Sequence, residues 1–299
     1  MTLNMHISSG NLTGLAWDCR VLFTDGAPNY ELVRESGFRG VQHRSFDQAV
    51  RNAGLELSGL ARITSPSDAI KLARRHADMG FVATTLHVGT GMETDSEASN
   101  LAEAVLTASL NSEYPLFIET HRATITQDMR RTLNLIDRFP ELRFTADLSH
   151  WYSGLEMRYG DWTSKLDALA RVFERVRFIH GRIGNSCCMQ VPLDVARSGR
   201  AWMDFGELWR RCFLGFQSTS TADEQIFFAP ELLPAKINVA GDTIELNYAL
   251  DLGRGELSDR WTEALELRDY AQSIFTATTR APETIMKRGK QDDITAPTQ

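Results

Sequence analysis

Eight short apolar runs, separated by stretches with helical spacing, constrain this chain more than any other feature. The runs are Leu3–Ile7, Gly40–His43, Leu55–Leu60, Val82–Val88, Leu116–Thr120, Phe144–Asp147, Arg177–Gly181 and Ile226–Glu231. Between them, apolar residues recur at three- and four-residue intervals, as in Met129, Leu133, Ile136 and Phe139, or Leu166, Leu169, Ala170, Phe173 and Val176. Strands alternating with helices pair in parallel, because each helix carries the chain back to start the next strand. Eight such units within 299 residues predict an α/β chain folded as a closed (β/α)8 TIM barrel. An open doubly wound sheet is the competing arrangement. It calls for a phosphate-binding glycine loop after an early strand, and neither G-x-G-x-x-G nor a P-loop sequence is present.

The spacing predicts one barrel domain over residues 1–279, followed by a polar, flexible tail over 280–299. Ser258 is positioned to cap the last helix, which carries Trp261, Leu265, Ala271 and Phe275. Two connections are long, Ile183 to Asp204 after strand 7 and Leu232 to Glu256 after strand 8. In a parallel barrel both leave the carboxyl face, where they serve as substrate covers or subunit contacts.

Composition narrows the partners. The net charge of −7, with both signs intermingled, argues against sequence-independent nucleic-acid binding, which calls for a basic face. Cys19, Cys187, Cys188 and Cys212 lack the spacing of a zinc knuckle or a redox Cys-x-x-Cys, so reduced thiols in an intracellular protein are expected. The opening MTLNMHISSGNLTG lacks a basic segment followed by a long apolar one, and no apolar run approaches bilayer length. A cytoplasmic protein with no membrane partner is the expectation.

Four runs end in residues that bind metals: Glu119, Asp147, His180 and Glu231. Acids and imidazoles at the carboxyl ends of successive strands are how a parallel barrel assembles an active site. Two Glu, one Asp and one His form a sulfur-free set suited to one divalent ion such as Mn, Mg, Co or Zn. Each residue also has an ordinary reading: Glu119 as a surface acid paired with Arg122, Asp147 as the cap of the next turn, His180 as a satisfied core imidazole, Glu231 as half of a structural ion pair. The four together favour ligation, since a buried carboxylate without a countercharge is costly.

Other residues fall near the same rim. His150 follows Asp147 by three, and Arg182 shares the strand parity of His180, with Gly181 between them allowing a close approach. His87 is a candidate pocket wall, and His121 shares the parity of Glu119. His6 and His43 are read as structural. Cys187, Cys188 and Gln190 lie in the long loop after strand 7. Trp151 and Trp202 are candidate sugar-stacking surfaces, and Trp209 is read as helix packing.

The ordered segments GluThrHisArg at 119–122, AlaAspLeuSerHisTrp at 146–151, HisGlyArgIleGly at 180–184 and AlaProGluLeuLeuPro at 229–234 resemble the xylose isomerase-like TIM-barrel superfamily on its sugar-phosphate isomerase/epimerase side. The resemblance covers residues 1 to about 277. It implies metal ligation by Glu119, Asp147, His180 and Glu231, acid/base roles for Glu119 and Glu231, and substrate contacts from His150 and Arg182. It also implies a small polyhydroxy substrate, proton transfer through an enediolate, and self-association, since relatives are often dimers or tetramers. Dehydration of a similar substrate, phosphodiester hydrolysis and a non-catalytic carbohydrate-binding barrel are the competing readings.

Overall fold

The computed structural model describes residues 1–16, 19, 21, 27–239, 241–251, 253 and 255–289, with side chains as far as 279 apart from that of 239. Eight strands form a closed parallel barrel: β1 (Thr2–Ser8), β2 (Gly40–His43), β3 (Glu56–Ile63), β4 (Thr84–Val88), β5 (Leu116–Glu119), β6 (Phe144–Ala146), β7 (Val176–Gly181) and β8 (Gln225–Pro230). Each pairs with the next, and β8 returns to β1 with Leu3 opposite Ile226. All eight expected strands are present, so the open-sheet alternative is excluded.

Alternation along the strands divides the molecule into an outer core and a filled interior. One set of residues meets the helices in the main apolar cluster, which includes Val41, Leu86, Ile118, Phe144, Ile179 and Phe228. The other set fills the barrel. Ala83, Phe117, Phe178, Phe227 and Ala229 form a separate cluster there. Beside them a polar thread crosses the interior: Gln42 donates to Thr85 (3.1 Å), whose hydroxyl meets that of Thr145 (2.8 Å). At the amino end, His6 lies between Ser58 (2.9 Å) and Glu56 (3.2 Å). Gly40 makes room for that ring, since a Cβ there would sit 2.4 Å from it. Gly181 similarly admits Phe228, whose ring would lie 2.4 Å from an added Cβ.

The helices begin where side chains satisfy their free N–H groups. Thr94 and Glu97 form a capping box before the helix Asp95–Asn111, and Asp128 accepts from Arg131 N (2.7 Å) at the start of Met129–Arg138. The expected helix over 166–176 is two short ones, Trp162–Ala168 and Ala170–Phe173, and Val176 opens β7 instead. The last helix starts at Arg260 with Asp259 as its cap, accepting from Trp261 N (3.0 Å). Asp259 takes the place expected of Ser258, because its carboxylate sits one residue before the first helical turn. That helix runs on to Gly289, into the segment expected to be a tail; residues 290–299 lie outside the described residues.

Both long connections carry structure. The one after β7 folds into the helix Leu193–Ser198 and the start of Ala201–Thr219. The one after β8 forms an antiparallel pair, β9 (Lys236–Val239) and β10 (Asp242–Glu245). Arg260 ties the barrel's seam. Its guanidinium donates to the carbonyls of Gly10 (3.0 Å), Asn11 (3.0 Å) and Thr13 (2.6 Å) after β1 and of Leu232 (3.3 Å) after β8. Among the described residues, no helix is long and apolar enough to cross a membrane.

Candidate metal centre at the carboxyl rim

Strand parity explains why the rim residues meet. Glu119 lies two residues beyond Phe117, Asp147 two beyond Thr145, His180 two beyond Phe178 and Glu231 two beyond Ala229. The layer below faces the barrel axis, so these side chains do as well. Their ligand atoms all lie within 4.8 Å of one another, and all four residues are buried. The quartet comes from β5, β6, β7 and β8, so Glu119 and Glu231 enter from well-separated walls of the mouth.

His180 Nδ1 sits 3.0 Å from Glu231 Oε2 and 3.3 Å from Glu119 Oε1, yet neither ring nitrogen has a hydrogen-bond partner. Glu119 Oε2 is also buried without a hydrogen bond, although His87 Nε2 is 2.8 Å away. These atoms point toward a shared centre rather than along one another's hydrogen-bond directions. Unsatisfied buried donors and acceptors are costly, and a divalent ion among three carboxylates and an imidazole would satisfy them. The donor set fits such an ion.

The electrostatics agree. Burial opposes the charge on Glu119, but His87 and His180 outweigh it and hold its carboxyl well below the usual range. Burial opposes the charge on Asp147 too, and Arg182 and His150 overcome it. For Glu231 the compensating groups are His180 and Arg182. Burial disfavours a charged His180, yet Glu231 and Glu119 keep its pKa well above that of a free imidazole. The centre is a place that demands positive charge.

Asp147 caps the following turn, and its other oxygen faces the centre's cations. Its Oδ1 accepts from Ser149 N (3.1 Å) and Ser149 Oγ (2.6 Å), holding the turn into the helix Ser149–Gly154. Its Oδ2 faces Arg182 Nε (3.1 Å) and His150 Nε2 (3.4 Å). Arg182 is fully buried and also donates from Nη2 to Asp147 Oδ2 and Glu231 Oε2 (3.0 Å for the latter). It therefore braces two of the quartet, while Nη1 is buried without a partner. Glu119 pairs with His87 and His180 and not with Arg122.

Three imidazoles line one side of the centre. His121 lies between His87 (ring centroids 4.1 Å apart) and His150 (3.8 Å). Burial, followed by the neighbouring histidines, pushes His121 down to about 3 against the pull of Glu119. His87, His121 and His150 thus join the rim. His43 does not: its Nδ1 is held by Ser45. Trp151 is no stacking surface, being fully buried with Nε1 donating to the Thr126 carbonyl (2.8 Å). Trp202 stacks on Tyr270 (4.1 Å) and belongs to helix packing, as does the buried Trp209.

Tyr248, on the chain returning from β10, escapes the sequence reading. Its ring lies 5.2 Å from the Arg182 guanidinium carbon. The signal available was the length of the connection after β8; nothing in its residue pattern marks this tyrosine.

No protein-family model and no curated protein matches the chain. Solved structures do resemble it. A xylose isomerase-like TIM barrel protein from Mycobacterium smegmatis, in complex with magnesium, is 11% identical with a TM-score of 0.51, over 93% of this chain and 98% of that one. A 3-keto-D-glucoside 4-epimerase from E. coli, in apo form, is 10% identical with a TM-score of 0.50, over 91% and 100%. A probable 3-DHS dehydratase involved in petrobactin synthesis from Bacillus anthracis is 14% identical with a TM-score of 0.49, over 76% and 92%. The chain has the fold of the xylose isomerase-like TIM barrels.

Proposed function

We propose that the chain is a divalent-metal-dependent isomerase or epimerase that moves a proton beside the carbonyl of a sugar, keto-sugar or related polyol. The observation that carries this reading is the convergence of Glu119, Asp147, His180 and Glu231 on one centre, with Glu119 Oε2 and the ring nitrogens of His180 buried and without a hydrogen-bond partner. The magnesium in the Mycobacterium smegmatis structure and the epimerase of the same fold are consistent with it. A bound divalent ion supplies Lewis acidity, polarising a carbonyl so that the adjoining C–H becomes acidic.

The chain's own residues do the rest. Glu119 and Glu231 are ionised in this field and can each accept a proton from substrate carbon. Because they stand on β5 and β8, the proton can leave on one side and return on the other, which inverts a centre. Return to the neighbouring carbon, as the hydroxyl proton shifts to the former carbonyl oxygen, gives isomerisation. Arg182 Nη1 offers a buried, unpartnered donor to a substrate oxygen. The His87–His121–His150 cluster of tilted rings walls one side and presents ring nitrogens to hydroxyls.

Metal analysis of the purified chain, joined to NMR of deuterium uptake across a panel of ketoses and polyols, tests this. About one equivalent of divalent ion and exchange at the carbon next to a carbonyl are expected, both lost on chelation and restored on readdition. Loss of water from the substrate would assign a lyase instead. Stoichiometric sugar binding with no exchange in the loaded protein would leave a carbohydrate-binding barrel.

A further inference from the structure

A second set of groups stands just outside the metal centre. Beyond the β9–β10 hairpin the chain is pinned, with Leu246 N (2.7 Å) and Asn247 N (2.9 Å) both donating to the Ala235 carbonyl. Asn247 adopts a φ of 55°, a left-handed conformation that asparagine tolerates. Tyr248 follows it, fixed over Arg182. From the loop after β5, the Arg122 guanidinium carbon lies 6.0 Å from the centre of the same ring. Tyr248 therefore neighbours both a buried cation and an exposed one.

The two cations differ in what surrounds them. Arg182 is held by Asp147 and Glu231. The Arg122 guanidinium has no carboxylate partner among the described residues. Arg122 and Tyr248 line a cleft of about 390 Å³ together with Ser153, Cys187, Gln190 and Asn247. No Asp or Glu lines it, in a chain with 39 acids. Gln190 spends its amide on Leu233, donating to the carbonyl (2.9 Å) and accepting from the N–H (2.9 Å), and so stiffens the wall. At the reacting end, three carboxylates, Arg182 and a divalent ion sum to a neutral set, so that end gives an anion no advantage. The outer cleft does.

We propose that this cleft receives the anionic end, carboxylate or phosphate, of a polyol whose other end reaches the metal centre. Arg122 is its counter-ion and Tyr248 the wall along which the carbon chain lies. The assignment rests on the proposed function for the position of the reacting end. A guanidinium fork matches the paired oxygens of either anion. The contact is open to solvent, so it weakens as salt shortens the screening length.

Calorimetric titration of the full chain loaded with Mn²⁺ tests this, using gluconate, sorbitol 6-phosphate and neutral sorbitol. Gluconate or sorbitol 6-phosphate should bind at least tenfold more tightly than sorbitol at low salt, and whichever leads identifies the anion. Arg122→Gln should erase that preference, Arg122→Lys should keep part of it, and Arg130→Gln, an exposed arginine elsewhere, should keep all of it. Equal binding of the three ligands, or an equal change in all three on Arg122→Gln, overturns the proposal. The two readings fail separately. Arg122-dependent anion binding without proton exchange on any substrate leaves the subsite and removes the isomerase. Exchange without anion preference does the reverse.

Discussion

The barrel interior holds a buried histidine beside a carboxylate at each end, and the two arrangements have opposite character. At the floor, both nitrogens of His6 are occupied by Ser58 and Glu56, and Glu56 is part-exposed. Burial dominates there and lowers the His6 pKa. At the rim, His180 faces two buried carboxylates, neither of its nitrogens is hydrogen-bonded, and its pKa is raised. A floor that occupies both nitrogens of its histidine is a structural device; a rim that leaves His180 and a Glu119 oxygen unsatisfied around excess negative charge has the make-up to take a cation. Polarity inside a barrel therefore does not mark a site by itself. Unmet hydrogen bonding combined with uncompensated charge does.

The largest expected effect separates the two ends by chemistry. Glu119→Gln or Glu231→Gln keeps shape and removes the proton acceptor, so deuterium exchange should fall by about 10²–10⁴-fold, with circular dichroism unchanged. His6→Asn at the floor should alter exchange by less than about twofold if the floor only supports the fold. A comparable loss from both ends would erase the distinction.

A smaller effect concerns stability. Arg182→Ala leaves Asp147 and Glu231 without their brace, and breaking such a buried pair costs about 3–5 kcal/mol. Urea melts of the metal-free protein should show it. Added Mn²⁺ should recover part of the loss, because a cation can replace the missing charge. For His6→Asn, the same addition should recover nothing beyond its effect on the unaltered chain.

The smallest effect is the floor's response to pH. A histidine whose folded pKa lies below its unfolded value of about 6.5 binds its proton more readily when the chain is unfolded. The stability it contributes is complete above that value and is lost as pH falls through the lower, folded pKa. His6 and His76, the latter pushed down to about 4 mainly by burial, both follow this sign. Thermal melts should show declining stability below about pH 6.5, and a His6→Asn chain should decline less steeply. An unchanged slope would show that floor protonation is not coupled to folding.

Much of this architecture is legible in the sequence because parallel strands are covered on both faces and read as unbroken apolar runs. The rim acids and His180 stand out by interrupting such runs at their ends. Arg182, read as a substrate contact, is found bracing two carboxylates, a geometry that depends on the distance between β6, β7 and β8. The contact of His121 with His87 and His150 joins the loop after β5 to β4 and to the helix Ser149–Gly154, which no local spacing encodes. Trp151 illustrates the limit from the other side: an aromatic near a site motif suits stacking and packing equally, and only burial decides. Tyr248 was out of reach because the connection after β8 has neither helical nor strand period, so the hairpin that aims it leaves little trace.

The anchoring of Arg260 to both ends of the ring has a consequence for how the molecule is made. The residue that clasps the turns after the first and last strands is synthesised after all eight strands. A nascent chain therefore has its whole wall in hand before it can fasten the join, and the slow, distant contacts come last. Until then the edges of β1 and β8 are exposed to mispairing with neighbouring chains. Shortening the chain ahead of this clasp would create a folding problem rather than a catalytic one, visible as aggregation during synthesis.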